Sequence, residues 1–212
     1  MRPLGKTKIE WSPKFAYGIG LITSDGSLSK DGRHIYFTSK DLILVEIFKN
    51  CFELKNKIGK KCRGGETEKK YFVVQFGDRI FYEFLCGIGL HPNKSKTLQA
   101  LAIPSEFFID FFRGCFDGDG CITTYMHPES KNLQVRLKIA SASPLFLKWM
   151  LNTSRKVFSI SGGYIDRISR AYQLTFATKD TLSICSQIYY HKTEYHLPRK
   201  HEKYLKLLGR VA

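Results

Sequence analysis

Arg113-Gly114-Cys115-Phe116-Asp117-Gly118-Asp119-Gly120 closes an apolar, glycine-bearing run with Asp-Gly. An earlier stretch, Gly20-Leu21-Ile22-Thr23-Ser24-Asp25-Gly26, ends in the same way. In each copy a glycine stands five positions before the final aspartate, Gly20 before Asp25 and Gly114 before Asp119. Matched acids at the ends of two apolar helices point to an internal duplication. The matched glycines predict that the two helices pack closely, because a residue without Cβ lets backbones approach.

The order of elements around the two copies repeats. After Asp25-Gly26 a polar link, Ser27 to Arg33, precedes an alternating strand at 34–39 and a helical run at 41–52. A Lys/Gly-rich loop at 55–70, a strand at 71–76 and a helix at 79–87 follow. After Asp119-Gly120 come Cys121 to Thr124, a polar link, and a strand at 133–141 with Leu133, Val135, Leu137 and Ile139 on one face. A helix at 144–152, a hairpin of strands 164–168 and 171–176, and a helix at 179–189 complete the second unit. A basic tail reads as helical from Pro198. The expected repeats are 1–100 and 101–212, together one compact pseudo-symmetric unit.

Composition narrows the function. The 212 residues carry 34 Lys+Arg against 19 Asp+Glu, a formal net charge of +15, which favours a polyanionic partner, nucleic acid before membrane. No apolar run approaches the length of a spanning helix, and residues 1–13 lack the apolar core of a secretory signal, so an intracellular protein is expected. The six cysteines contain no C-x-x-C pair and the six histidines no zinc-like spacing, which argues for reduced thiols and against structural zinc. In a basic duplicated chain a pair of matched carboxylates suits divalent-metal chemistry on a phosphodiester. Such ions activate water and neutralise the leaving oxygen, and Mg²⁺ takes hard oxygen ligands.

On the two motif copies and the layout between them, the chain resembles monomeric two-repeat LAGLIDADG homing endonucleases over roughly 13–208. The resemblance implies an α+β fold: a duplicated αββαββα unit with two curved antiparallel saddle sheets and a pseudo-twofold. It implies a site-specific double-stranded DNA endonuclease that cleaves a long asymmetric target, acts in intron homing, and leaves short 3′ overhangs. Carried over by position, the metal-binding acids are Asp25 and Asp119, with main-chain oxygens of Ser24 and Gly118. Asp117, whose first-copy counterpart is Thr23, is read as a helix-end polar contact. Thr23 and Ser24 replace the family's usual Asp-Ala. Mg²⁺ is the implied cofactor, Mn²⁺ and Ca²⁺ being possible substitutes and Ca²⁺ binding without turnover. The family's lysine near each scissile phosphate falls on Lys94, with Lys96 as rival, and on Lys200.

A polar strand face that enters the major groove alternates with core residues. In the first repeat the candidates are Ser27, Ser29, Lys30, Arg33, Tyr36, Thr38, Arg63, Lys70 and Gln75. In the second they are Gln134, Arg136, Lys138, Arg167, Arg170, Gln173 and Thr175. Lys55, Lys57, Lys60 and Lys61 suit phosphate contacts. Double-stranded DNA is the expected partner of a monomer. The alternatives are an RNA-splicing maturase, a catalytically silent DNA-binding protein on the same scaffold, and a small enzyme whose acid pair is unrelated to DNA. Neither end shows an intein splice junction, which suggests a free-standing or intron-encoded protein.

Overall fold

A computed structural model of the chain describes residues 5–62, 67–129, 132–190 and 195–211. Helix α1 (Pro13–Asp25) begins where the Ser12 hydroxyl accepts the Phe15 N–H at 3.2 Å and Pro13 opens the first turn. It is followed by β1 (Gly26–Leu28), β2 (His34–Ser39), α2 (Leu42–Cys51), β3 (Gly59–Lys61), β4 (Tyr71–Gly77) and α3 (Arg79–Gly87). Two 3₁₀ turns, Lys94–Lys96 and Ser105–Phe107, lead to α4 (Phe108–Asp119). Next come β5 (Gly120–Met126), β6 (Leu133–Ser141), α5 (Pro144–Val157), β7 (Tyr164–Ile168), β8 (Ala171–Phe176), α6 (Thr178–Ile188) and α7 (Pro198–Val211). The order helix, two strands, helix, two strands, helix thus occurs twice.

Each half contributes one four-stranded antiparallel sheet, ordered β1-β2-β4-β3 in the first and β5-β6-β8-β7 in the second. The strand β3 was not foreseen. Gly59-Lys60-Lys61 has no apolar alternation and is exposed throughout, so its extended form comes from pairing with β4. Helix α5 runs past the expected end at 152 to Val157, burying Ser154.

The chain forms two compact units, one of Met1–Lys94 with Leu101–Gly118 and the other of Ser95–Ala100 with Asp119–Ala212. The first is packed with aromatic rings. Phe37 and Phe48 stack at 4.3 Å, and Phe15 meets Phe52, Phe81 and Phe84 at 5.7–5.9 Å. Trp11 seals this cluster, stacked 6.1 Å from Phe107. Asp78 ties the N-terminal segment down: its Oδ2 accepts the N–H groups of Lys6 (2.7 Å) and Thr7 (2.8 Å), while Oδ1 caps α3 through Phe81 (3.0 Å). Within the second unit Val135, Leu137, Ile139, Leu174 and Phe176 are buried, as are Phe146, Leu147 and Met150 of α5 and Ile184 and Ile188 of α6. The Thr178 and Thr181 hydroxyls accept the Val135 and Leu137 N–H groups, each at 2.9 Å, so those strand amides are satisfied by side chains of α6. Among the described residues no helix is long and apolar enough to cross a membrane.

Candidate functional site

Helices α1 and α4 meet through their glycines within the first unit. A Cβ on Gly20 would overlap the Phe111 carbonyl oxygen and stand 2.9 Å from the Cys115 nitrogen. One on Gly114 would overlap the Tyr17 carbonyl. The expected close approach is therefore realised at both equivalent positions. Within the same unit Gly118 lies against the end of α1, for a Cβ on it would strike the Ser24 hydroxyl and come within 2.7 Å of Asp25 Oδ2. The Asp25 carboxylate thus rests against Gly118. Asp25 is half-buried and Asp119 exposed.

The replacements Thr23 and Ser24 spend their hydroxyls on their own helix. Thr23 Oγ1 donates to the Ile19 carbonyl at 2.8 Å, and Ser24 Oγ to Leu21 at 3.1 Å. Asp117, in the last turn of α4, is fully buried and accepts the Tyr17 hydroxyl of α1 at 2.8 Å. Among the described residues no group of three or more His, Cys, Asp or Glu side chains could hold a metal ion.

Two lysines occupy equivalent places. Lys94, held in a 3₁₀ turn after the left-handed Asn93 (φ 59°), is 6% exposed and donates its ammonium to the Gly26 carbonyl. Lys200, in the first turn of α7, is also 6% exposed and donates to the Gly120 carbonyl at 2.6 Å. Each accepting glycine directly follows a motif acid. Burying an ammonium is unfavourable unless it is hydrogen-bonded, and each of these has a main-chain carbonyl as acceptor. Lys96, by contrast, is exposed. Helix α7 buries Tyr204 and Leu207, and Leu197 is buried just before it; the Tyr189 ring stacks 5.6 Å from Tyr204 and lies tilted 4.7 Å from His201.

Strand register determines which candidates share a face. In the first sheet Ser27, Tyr36 and Gln75 form one row, and Thr38 lies beside Val73 on the same face. Ser29, Lys30 and Arg33 lie on the β1–β2 connection; the Ser29 carbonyl accepts the Tyr82 hydroxyl at 2.6 Å. Lys70 precedes β4 and pairs with Glu68 at 3.0 Å. Arg63 lies outside the described residues. Lys55, Lys57, Lys60 and Lys61 are exposed.

In the second sheet Lys138 pairs with Thr175, and Gln134, Arg136 and Lys138 share the face of Gln173. Three further candidates lie apart from that exposed face. Arg167 pairs with Tyr172, one residue out of step with Gln173, so it projects on the same face as the buried Leu174; Arg170 sits in the turn after Ser169 (φ 47°). A single-residue offset flips a strand side chain to the opposite face. Thr175 has the right face but is 1% exposed, so its neighbours cover it. Sequence reasoning passed over Cys121, Thr123 and Tyr125 of β5, which line the same face opposite Lys138, Arg136 and Gln134. Their alternation about Ile122 was the available signal. Tyr125 and Arg136 are joined, Arg136 Nη2 donating to the Tyr125 hydroxyl at 2.6 Å.

No protein-family model and no curated protein matches the chain. Solved structures do. Full-length DUF199/WhiA from Thermatoga maritima matches with a TM-score of 0.60 and 16% identity, over 97% of this chain and 63% of that one. The present chain therefore spans somewhat under two thirds of that protein's length. The I-LtrWI LAGLIDADG homing endonuclease bound to target DNA matches with a TM-score of 0.61 and 14% identity, over 92% of this chain and 89% of that one. I-DmoI in complex with DNA and Mn matches with a TM-score of 0.53 and 17% identity, over 87% and 98%. At such identities the likeness is one of fold, and the fold is the duplicated α+β architecture of LAGLIDADG proteins.

Proposed function

We propose that the protein is a divalent-metal-dependent, site-specific endonuclease of double-stranded DNA, built from repeats 1–100 and 101–212. The observation that carries this reading is the repeated corner: each motif acid, Asp25 and Asp119, is followed by a glycine whose carbonyl receives a buried lysine ammonium. Helix capping alone explains neither the repetition nor the lysines.

The donor set suits a hard cation. Asp25 and Asp119 offer carboxylates and Ser24 and Gly118 main-chain carbonyls, the hard oxygen donors that such a cation takes. Mg²⁺, with Mn²⁺ or Ca²⁺ as substitutes, would be held there; when bound, such an ion activates water and neutralises charge on the leaving oxygen. Lys94 and Lys200 hold fixed positive charge beside the two acids and stabilise charge that develops on the phosphate. Lysines 55, 57, 60 and 61 attract the backbone without reading sequence. Gln75 and Tyr36 share one face of the first sheet, and Gln134, Arg136 and Lys138 one face of the second, which supports a base-reading role for them. The two sets differ, so the target is long and asymmetric. The protein acts as a monomer inside the cell, in intron homing, and leaves short 3′ overhangs.

The test is selection of cut sites from a randomised duplex library with Mg²⁺. Asp25→Asn and Asp119→Asn should abolish double-strand cutting and retain binding. Binding without any cutting by the unaltered protein, under Mg²⁺ and Mn²⁺, would instead identify a silent DNA-binding protein. Preferential binding of structured RNA would identify a maturase.

A further inference from the structure

A buried polar chain crosses the contact between α1 and α4. Arg113, 1% exposed, places Nη2 2.6 Å from Asp110 Oδ1 and its guanidinium carbon 5.3 Å from the centre of the Tyr17 ring. The Tyr17 hydroxyl then donates to Asp117 Oδ2. Tyr17 and Asp117 are wholly buried. Buried ionic groups are weak contributors to stability and are best known for fixing register. Around it the contact is mostly glycine and apolar side chains, with the weak Cys115 thiol donor on the Gly20 carbonyl at 3.5 Å.

The chain of contacts is one-sided. With Gly20 matched to Gly114, Tyr17 corresponds to Phe111, Thr23 to Asp117, Ile19 to Arg113 and Ala16 to Asp110. The mirror-image contact would run from Phe111 to Thr23, but phenylalanine has no hydroxyl and Thr23 donates to its own helix. Only α4 receives this tether, and it is fastened two residues before Asp119. Burial, with the neighbouring Asp117 charge, holds the Tyr17 phenol well above its usual range, so it remains a donor at any working pH.

We propose that Tyr17 is a positioning residue for Asp119: its hydrogen bond to Asp117, braced by Arg113 and Asp110, fixes the rotation of the last turn of α4 and hence the direction of the Asp119 carboxylate. The catalytic consequence rests on the endonuclease reading; the ordering of the helix end does not.

Tyr17→Phe removes only the hydroxyl and keeps the ring packing, and Asp117→Asn keeps an acceptor for it. Amide hydrogen exchange of 115–119 should quicken about tenfold in Tyr17→Phe while α5 and β8 exchange as before. The Mg²⁺ concentration for half-maximal cutting should rise several-fold, DNA affinity should change less than about twofold, and Asp117→Asn should resemble the unaltered protein in both measurements. Unchanged exchange at 115–119, or an equal rise throughout the chain, overturns the proposal. So does an Asp117→Asn variant that behaves like Tyr17→Phe. If the unaltered protein cuts no DNA, the endonuclease reading falls, and the exchange measurement alone decides the positioning role.

Discussion

Gly20 and Gly114 face one another so closely that a Cβ on Gly20 would lie 2.9 Å from the Gly114 Cα. Two opposing effects act when alanine replaces either one. Helix propensity favours alanine by about 1 kcal/mol, whereas overpacking against backbone, which cannot yield as a side chain can, costs about 1–3 kcal/mol or more. Overpacking wins, so Gly20→Ala and Gly114→Ala should each lower the urea midpoint. Gly87→Ala, where an added Cβ meets nothing within 4 Å, should leave it unchanged or raise it slightly. Equal midpoints for all three would show that the helix contact tolerates a methyl group.

That contact was legible in the sequence because duplication compares one position with another: Gly20 and Gly114 testify for each other. The sheets were legible where one face is buried, as in Val135, Leu137 and Ile139. They were illegible where pairing alone makes a strand, as in Gly59 to Lys61. For the candidate site, Asp25 and Asp119 stood out because the acids recur at matched places, whereas Lys94 and Lys200 followed only from the family resemblance. Arg167 could not be assigned to a face, since its side of the sheet depends on a register that the hairpin turn at Ser169-Arg170 sets. Tyr17 could not be found at all. It reads as one more aromatic in an apolar helix, and only the fold brings it to Asp117.

The lysine pair separates a charge effect from a packing effect. Lys94→Met and Lys200→Met keep most of the buried stem but leave the Gly26 or Gly120 carbonyl without that donor. Each should cost about 1–3 kcal/mol of stability, and cutting should fall on the order of a hundredfold with DNA affinity nearly kept. Wild-type cutting rates in both variants would make the lysines purely structural.

Arg136 and Lys57 should fail in different ways on DNA. Arg136 is held by Tyr125 on the polar face of the second sheet. Its loss in Arg136→Ala should relax preference at one or two base pairs, by about 1–3 kcal/mol of discrimination. Lys57 is exposed beside β3, and Lys57→Ala should weaken all sequences alike and reduce the slope of log affinity against log salt by about 1. Affinity insensitive to salt would remove the phosphate-contact role.

Asp78 gathers three backbone N–H groups on one buried carboxylate, those of Lys6, Thr7 and Phe81. Asp78→Ala deletes a helix cap worth about 1 kcal/mol and leaves two further amides of the N-terminal segment without their acceptor. A total loss of roughly 2–4 kcal/mol is expected, together with faster proteolysis within residues 5–12. Asp78→Asn, which keeps acceptor oxygen but only one, should fall between. Unchanged proteolysis in the alanine variant would show that Trp11 alone anchors the segment.

The six cysteines should divide by burial when a thiol reagent is applied. The thiolate is the attacking form, and burial pushes the Cys51 and Cys185 thiols up to about 12, so at pH 8 almost none of either is ionised. Cys115 is enclosed as well, at 2% exposed, while Cys62, Cys86 and Cys121 are exposed. Native protein should therefore react quickly at Cys62, Cys86 and Cys121 and only on the unfolding timescale at the others; in strong denaturant all six should react together. Cys121 carries a further test, because it lies opposite Lys138 on the polar face of the second sheet, one residue after the glycine that receives Lys200. Saturating duplex DNA should protect Cys121 and leave Cys86, on α3, reacting at its free rate. Protection of neither would show that this sheet face does not meet the nucleic acid.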